Sequence, residues 1–255
     1  MKQGFLAGPD GKRAADLNAA IGRKGAPAIF FARGGWGAAR LLDRIDLDRL
    51  RARPRVLLGY SDLTAIFMAL QRPGRSYPYR YGPNVSELGD PGNFEPRSLR
   101  EALYLSTDPI RHALRGCRIL RPGRARGTLI GGCLSLLTLL LGTRYDVPWD
   151  GCLLFWEDLN EPPYRIDRML HHLRLAGKLE KLAGMIVGRL PGCGAIPPTP
   201  GRPIGDLVLE ATAGTRYPIV MNFPAGHIPR KRTLLMGVEA ELDISGVELR
   251  LRVDR

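Results

Sequence analysis

Short apolar runs that break off at a glycine or a polar residue and hand over to a helix-compatible stretch recur along the first hundred residues, and this alternation constrains the fold most. Residues 28–31 (AIFF) and 56–59 (VLLG) read as strands, while 14–21, 37–42 and 63–70 carry the apolar spacing of helices. Strands alternating with helices pair in parallel, because each crossover lays a helix on a face of the sheet. A polar, proline-rich stretch over 77–96 follows, then a helix over about 99–104.

Residues 107–123 read as a linker with an entry strand into a second unit. There, 134–141 is helical behind Gly131-Gly132, and 152–156 is a continuous apolar strand. Ile166, Met169, Leu170, Leu173 and Ala176 share one helix face, with Gly177 in the usual stop position. Residues 183–188 form another buried strand, and strict alternation over 247–253 after Ser245-Gly246 predicts a hairpin with 238–244. The expected fold is α/β. A Rossmann-like, parallel-sheet N-terminal domain covers 1–106, the linker and entry strand cover 107–123, and a β-rich mixed α/β domain covers 124–255.

Composition narrows the function classes. At 255 residues and 44% hydrophobic content the chain can bury a full core. The greasiest segment, 129–141, is broken by glycines and polar residues and is too short to cross a bilayer. No secretory signal pattern stands at the N-terminus, and Cys117, Cys133, Cys152 and Cys193 lack C-x-x-C spacing, so they read as buried free thiols in a reducing cytoplasm. The net charge of +13 raises nucleic acid as a partner. Its distribution argues against one: 38 cations, six of them Lys, are scattered singly, and the densest cluster is Arg230-Lys231-Arg232. Arginine-rich codon usage or an anionic substrate accounts for the excess.

Three predicted strands end on residues that suit acyl-transfer chemistry. Ser61 follows Val56-Leu57-Leu58-Gly59-Tyr60, where a strand stops and a helix starts after Asp62. Only half of the G-x-S-x-G elbow is met, because Leu63 stands in place of the second glycine. Ser61 or Asp62 could equally cap the helix. Glu157 ends Leu153-Leu154-Phe155-Trp156, a costly place for a lone charge. An ion pair with Arg165 or Arg168, or a capping role for 158–161, would also satisfy it. His227 follows the strand 219–221 through Asn222-Phe223-Pro224-Ala225-Gly226, and it could be a plain surface residue.

Ligands of open α/β sheets bind outside the carboxyl ends of strands, where all three residues fall. Together they can work: Ser61 as nucleophile, His227 as base and then acid, Glu157 fixing the imidazole tautomer. Asp62 N–H and Gly35 N–H, the latter in the glycine turn Arg33-Gly34-Gly35-Trp36-Gly37, are the candidate oxyanion donors. No phosphate-loop spacing supports a phosphate-binding role for that turn. Trp36, Arg230 and Arg232 are candidate substrate contacts.

The runs RGGWGAARLL (33–42), GYSDLTAI (59–66), EDLNEPPYRIDRML (157–170) and AGH (225–227), with LAGPDGKRAADLN from Leu6, resemble the LD-carboxypeptidase family of murein tetrapeptide carboxypeptidases and microcin C immunity peptidases. The resemblance implies a Ser61–His227–Glu157 triad, no metal or cofactor, a cytoplasmic enzyme that is commonly a homodimer, and a muropeptide or short peptide substrate, with no nucleic-acid or membrane partner. The implied reaction is removal of the terminal D-alanine from an L-centre of murein tetrapeptide during cell-wall recycling. A microcin-type immunity peptidase is the alternative.

This chain departs from the family pattern in three places. It starts almost at LAG, which implies a missing first strand and either a late start codon or a trimmed, inactive member. Tyr81 stands where a histidine often precedes Gly-Pro, and Cys133 where an asparagine often follows Gly-Gly.

Overall fold

The computed structural model describes residues 4–71, 75–104, 108–194 and 202–252. The expected domain limit at 106–107, the three N-terminal residues of the signal reading and Val253 of the hairpin lie outside them.

The first half follows the predicted alternation. Helix α1 (Asp10–Gly22) leads to strand β1 (Ala28–Phe30), helix α2 (Leu47–Ala52), strand β2 (Val56–Gly59) and helix α3 (Thr64–Leu70). All seven residues of α3 are buried, which explains why every one after Thr64 is apolar. Strand β3 (Tyr79–Tyr81) lies in the stretch expected to be loop, and helix α4 (Pro96–Leu103) follows, its N-terminus capped by Glu95. Strands β1, β2 and β3 pair in parallel.

The predicted helix over 37–42 is a single 3-10 turn, Ala39–Leu41. The N–H of Ala38 bonds to the carboxylate of Asp62 at 2.7 Å, so this segment is fastened to the strand–helix turn.

The expected linker also needs correcting. Residues 108–123 carry strands β4 (Ile110–Ala113) and β5 (Arg118–Arg121), which form the two edges of an eight-stranded sheet. The remaining members are β6 (Arg124–Cys133), then, after helix α5 (Leu134–Leu139), β7 (Leu153–Glu157), and, after helix α6 (Pro163–Leu175), β8 (Gly184–Val187). Helix α7 (Ile204–Ala211), not anticipated, precedes β9 (Ile219–Met221). Strand β10 (Leu234–Met236) and the hairpin β11 (Glu239–Asp243) and β12 (Glu248–Arg252) close the chain.

The strand order is β4-β12-β11-β6-β7-β8-β9-β5, with β6 to β9 parallel at the centre and antiparallel wings. A ten-residue β6 serves both kinds of neighbour, its first half pairing with β11 and its second with β7. All of β7 is buried, as a central parallel strand requires.

Strand β10 does not join this sheet. It pairs antiparallel with β3 and completes a four-stranded sheet β1-β2-β3-β10. The N-terminal sheet is therefore not wholly parallel, because a strand from the far end of the chain closes its β3 edge. Cross-links tie the two sheets: the Tyr79 hydroxyl donates to Gly131 O at 2.9 Å, and Cys133 N–H donates to Thr64 Oγ1 at 3.0 Å. The main apolar core runs through both sheets, and a smaller cluster of Leu58, Phe94 and Leu99 packs beside it.

Candidate functional site

Strand β2 ends at Gly59, and the chain turns so sharply into the 3-10 turn Ser61–Leu63 that Ser61 takes φ +69°. A non-glycine residue held there carries strain, and such strain concentrates at reactive positions. The missing second elbow glycine has a local reason. A Cβ on Gly59 would lie 2.3 Å from Leu63 Cδ1, so Leu63 folds back into the room that Gly59 leaves. Neither Ser61 nor Asp62 caps the helix through its side chain. Thr64 Oγ1 instead donates to Ser61 O at 2.7 Å and steadies the turn.

Glu157 is the last residue of β7 and its side chain is 0% exposed. Neither arginine expected to pair with it does so: Arg165 pairs with Glu161, and Arg168 lies over Tyr164. His227 sits on the segment 222–233 that leaves β9 and crosses to β10. Its Nδ1–H donates to Glu157 Oε2 at 2.7 Å, its backbone N–H donates to the same oxygen at 3.2 Å, and Ser61 Oγ lies 2.9 Å from Nε2. Thus three strand ends far apart in sequence meet in one hydrogen-bonded chain.

The close approach of the histidine needs Gly226. It has φ +107°, and an added Cβ would meet Glu157 Oε2 at 2.5 Å. Burial disfavours the His227 cation, but the hydrogen bond and charge of Glu157, helped by Asp158, outweigh that and hold its proton affinity above the ordinary imidazole value, with Lys231 opposing.

Reading the sequence missed Tyr81. Its hydroxyl donates to Glu157 Oε1 at 2.6 Å and accepts from Ser61 N–H at 3.3 Å, so one buried phenol bridges the Ser61 backbone and the Glu157 carboxylate. Burial and the adjacent Glu157 charge push the Tyr81 hydroxyl far above its usual range, keeping it a donor. Its signal was present: Tyr81 ends β3, the strand beside β2, at the position where the family pattern varies.

The glycine turn lies against the serine, for a Cβ on Gly34 would come within 2.9 Å of Ser61 Cβ. Asp62 anchors that turn, its carboxylate accepting the Ala38 N–H. Trp36 is 66% exposed and meets Phe5 edge-on at 6.1 Å. Among the three clustered cations, only Arg230 keeps the expected free, exposed head, and its backbone has φ +49°. Arg232 is half-buried; its guanidinium donates to Ala113 O at 2.6 Å and lies over Phe223. Arg189, passed over in the sequence, is exposed and lines a cleft with Asn222 and Ile228 beside the histidine segment.

Among the described residues no cluster of three or more His, Cys, Asp or Glu is placed to hold a metal ion, and no helix is long and apolar enough to cross a membrane. The four cysteines are free; Cys133 is buried and the other three are half-buried rather than fully enclosed.

An α/β frame that presents a hydroxyl, an imidazole and a carboxylate in line at strand ends defines a class of protein able to perform acyl transfer. Family models narrow the class: the LD-carboxypeptidase N-terminal domain matches residues 1–77 and the LD-carboxypeptidase C-terminal domain matches 126–242. The murein tetrapeptide carboxypeptidase of Pseudomonas aeruginosa is 30% identical over 253 residues, covering 94% of this chain and 80% of that protein. The crystal structure of muramoyltetrapeptide carboxypeptidase from Oxalobacter formigenes superposes with a TM-score of 0.84 at 26% identity, over 98% of this chain and 86% of that one. The microcin C7 self-immunity protein shares the fold, with a TM-score of 0.88 at 21% identity over 99% of this chain and 84% of that one. This chain belongs to the LD-carboxypeptidase family.

Proposed function

We propose that the chain is a serine-type carboxypeptidase that hydrolyses the L,D-peptide bond to the terminal D-alanine of murein tetrapeptide. The observation that carries this reading is the chain of hydrogen bonds from Ser61 Oγ through His227 to Glu157, at 2.9 and 2.7 Å. Ser61 Oγ attacks the carbonyl of the L-residue while His227 Nε2 takes its proton. The tetrahedral oxyanion accepts hydrogen bonds from Asp62 N–H and Gly35 N–H. His227 then passes the proton to the leaving amine of D-alanine. Water, activated by the same imidazole, releases the shortened peptide from Ser61. Glu157 stabilises the imidazolium formed in each half.

Arg189 and Arg230 are the exposed cations that suit the substrate's terminal carboxylate, and Trp36 suits its apolar parts. The murein-named relatives support this substrate, and the reaction belongs in the cytoplasm, where recycled muropeptides are trimmed. The family habit of pairing makes a homodimer the expected assembly, which light scattering of the purified protein would check.

The test is release of D-alanine from purified murein tetrapeptide, with Ser61→Ala as control. Wild type should turn over, and Ser61→Ala should lose on the order of 10³-fold or more in kcat with its fold retained. A folded wild-type protein that frees no D-alanine would refute the reading. Cleavage of an aminoacyl sulfamoyl nucleoside in its place would move the chain to the immunity-peptidase class.

A further inference from the structure

Lys231 sits in the middle of the densest cationic cluster of the sequence, yet it is 3% exposed. Its ammonium donates to Glu87 Oε1 at 2.5 Å and to Asn93 O at 3.0 Å, and it lies 4.9 Å from the centroid of the Tyr60 ring. The Tyr60 hydroxyl donates to the same Glu87 oxygen at 2.9 Å. The Tyr60 ring in turn packs against the His227 ring, with centroids 4.9 Å apart at 53°, and meets the Tyr81 ring edge-on at 6.0 Å. Lys231 and His227 thus both rest on a phenol ring that immediately precedes Ser61. Glu87 is itself fixed, since its second oxygen accepts Asn84 N–H in a capping box.

Such a cluster asks for an explanation. A cation buried next to the expected base opposes formation of the imidazolium, so a purely stabilising role would favour an apolar side chain there. What the arrangement secures is geometry. The Nδ1 and backbone bonds to Glu157 fix the imidazole at one end, but rotation and tilt of the ring about that anchor are limited only by its neighbours. Tyr60 is the aromatic neighbour on that ring, and its own orientation is pinned at the hydroxyl by Glu87 and at the face by Lys231.

We propose that Tyr60, clamped by Lys231 and Glu87, is a positioning residue that holds the His227 imidazole in line with Ser61 Oγ. This deepens the serine-peptidase reading and rests on it for its kinetic consequence. The charged and titratable groups that face His227 are Glu157 and Asp158 from the end of β7, Lys231 on its own segment, Glu87 behind the clamp, and the phenols of Tyr60 and Tyr81.

The test compares wild type, Tyr60→Leu, Tyr60→Phe and the double variant Lys231→Met/Glu87→Gln. D-alanine release gives kcat and KM. Nitrogen-15 NMR of the imidazole in the free protein gives tautomer and titration midpoint without any substrate. Tyr60→Leu should lower kcat on the order of 10- to 100-fold with KM changed less than threefold, and the single Nδ1–H tautomer should give way to a mixture. Tyr60→Phe keeps the ring and should recover most of the kcat lost in Tyr60→Leu. The double variant removes the clamp without stranding a buried charge and should reproduce part of the tautomer change.

Unchanged kcat in Tyr60→Leu, or a fall in kcat with the tautomer and midpoint of wild type, would overturn the proposal. Should Tyr60→Leu not fold, the NMR spectrum of the double variant decides, and a wild-type imidazole there overturns it. If wild type itself releases no D-alanine, the peptidase reading fails, while the imidazole spectra still answer whether Tyr60 sets the ring.

Discussion

The bridge made by Tyr81 gives a sharp test of how the site is held together. Tyr81→Phe deletes one oxygen and keeps the ring, which packs against Phe155 and Tyr60. Two groups lose their partner at once: the buried Glu157 Oε1, which accepts at 2.6 Å, and the half-buried Ser61 N–H, which donates at 3.3 Å. A hydrogen bond to a charged group is worth roughly 1.5–3 kcal/mol, and the longer amide bond adds less, so the variant should lose about 2–4 kcal/mol of stability. For a chain of this size each kcal/mol moves the midpoint about 2–4 °C, so thermal unfolding should come roughly 5–15 °C earlier. Glu157 keeps both its bonds to His227, so kcat should fall only about tenfold, far less than on losing the nucleophile. Differential scanning calorimetry and D-alanine release read the two effects. A midpoint within about 1 °C of wild type together with kcat within about twofold would refute the bridge, since neither group would then depend on the phenol.

Further outcomes follow from the same geometry. Gly226→Ala would drive a methyl against the Glu157 carboxylate at φ +107°, so kcat should fall at least about 100-fold while circular dichroism stays native-like. Because the His227 proton affinity is raised and the base must be neutral, kcat/KM should climb with pH through a midpoint above 6.5. The same imidazolium–Glu157 pair stabilises the fold fully below pH 6.5 and is lost as pH rises through that higher midpoint, so activity should appear where this increment of stability disappears. His112 on β4 behaves oppositely. Burial lowers it to about 4, so the unfolded chain takes up a proton at pH 6.5 that the folded chain refuses until about pH 4. Stability should drain by roughly 3 kcal/mol as pH falls across that interval, and urea titrations of His112→Gln should lose this part of the acid sensitivity.

Much of this architecture is legible along the chain because it rests on local rules. Continuous apolar runs mark β1, β2, β7 and β8, and glycine or a polar residue marks where each hands over to a helix or loop. Ser61, Glu157 and His227 stand out because each is a reactive side chain at the end of such a run. What local pattern conceals depends on which distant segments meet. Tyr79–Tyr81 reads as loop, since three aromatic or charged residues between prolines carry no alternation, yet β2 and β10 bury them from both sides. Lys231 reads as a solvated cation like its neighbours, and only the contact with Glu87 and Asn93 makes its burial tolerable. The short turn at Ala39–Leu41 reads as helix because no local signal announces that Asp62 takes the Ala38 amide.

The crossing of the chain from β9 to β10 makes the order of synthesis matter. As the polypeptide is made, β1, β2 and β3 are available early, but the strand that seals the β3 edge arrives only with Leu234–Met236. Until then the nascent N-terminal half has an open edge and a serine turn with no histidine. The segment that closes the edge carries His227 with it, so sealing the β3 edge and bringing the imidazole to Ser61 draw on one stretch of chain. A chain made only through β3 therefore holds Ser61 without the imidazole that its hydroxyl meets in the finished fold.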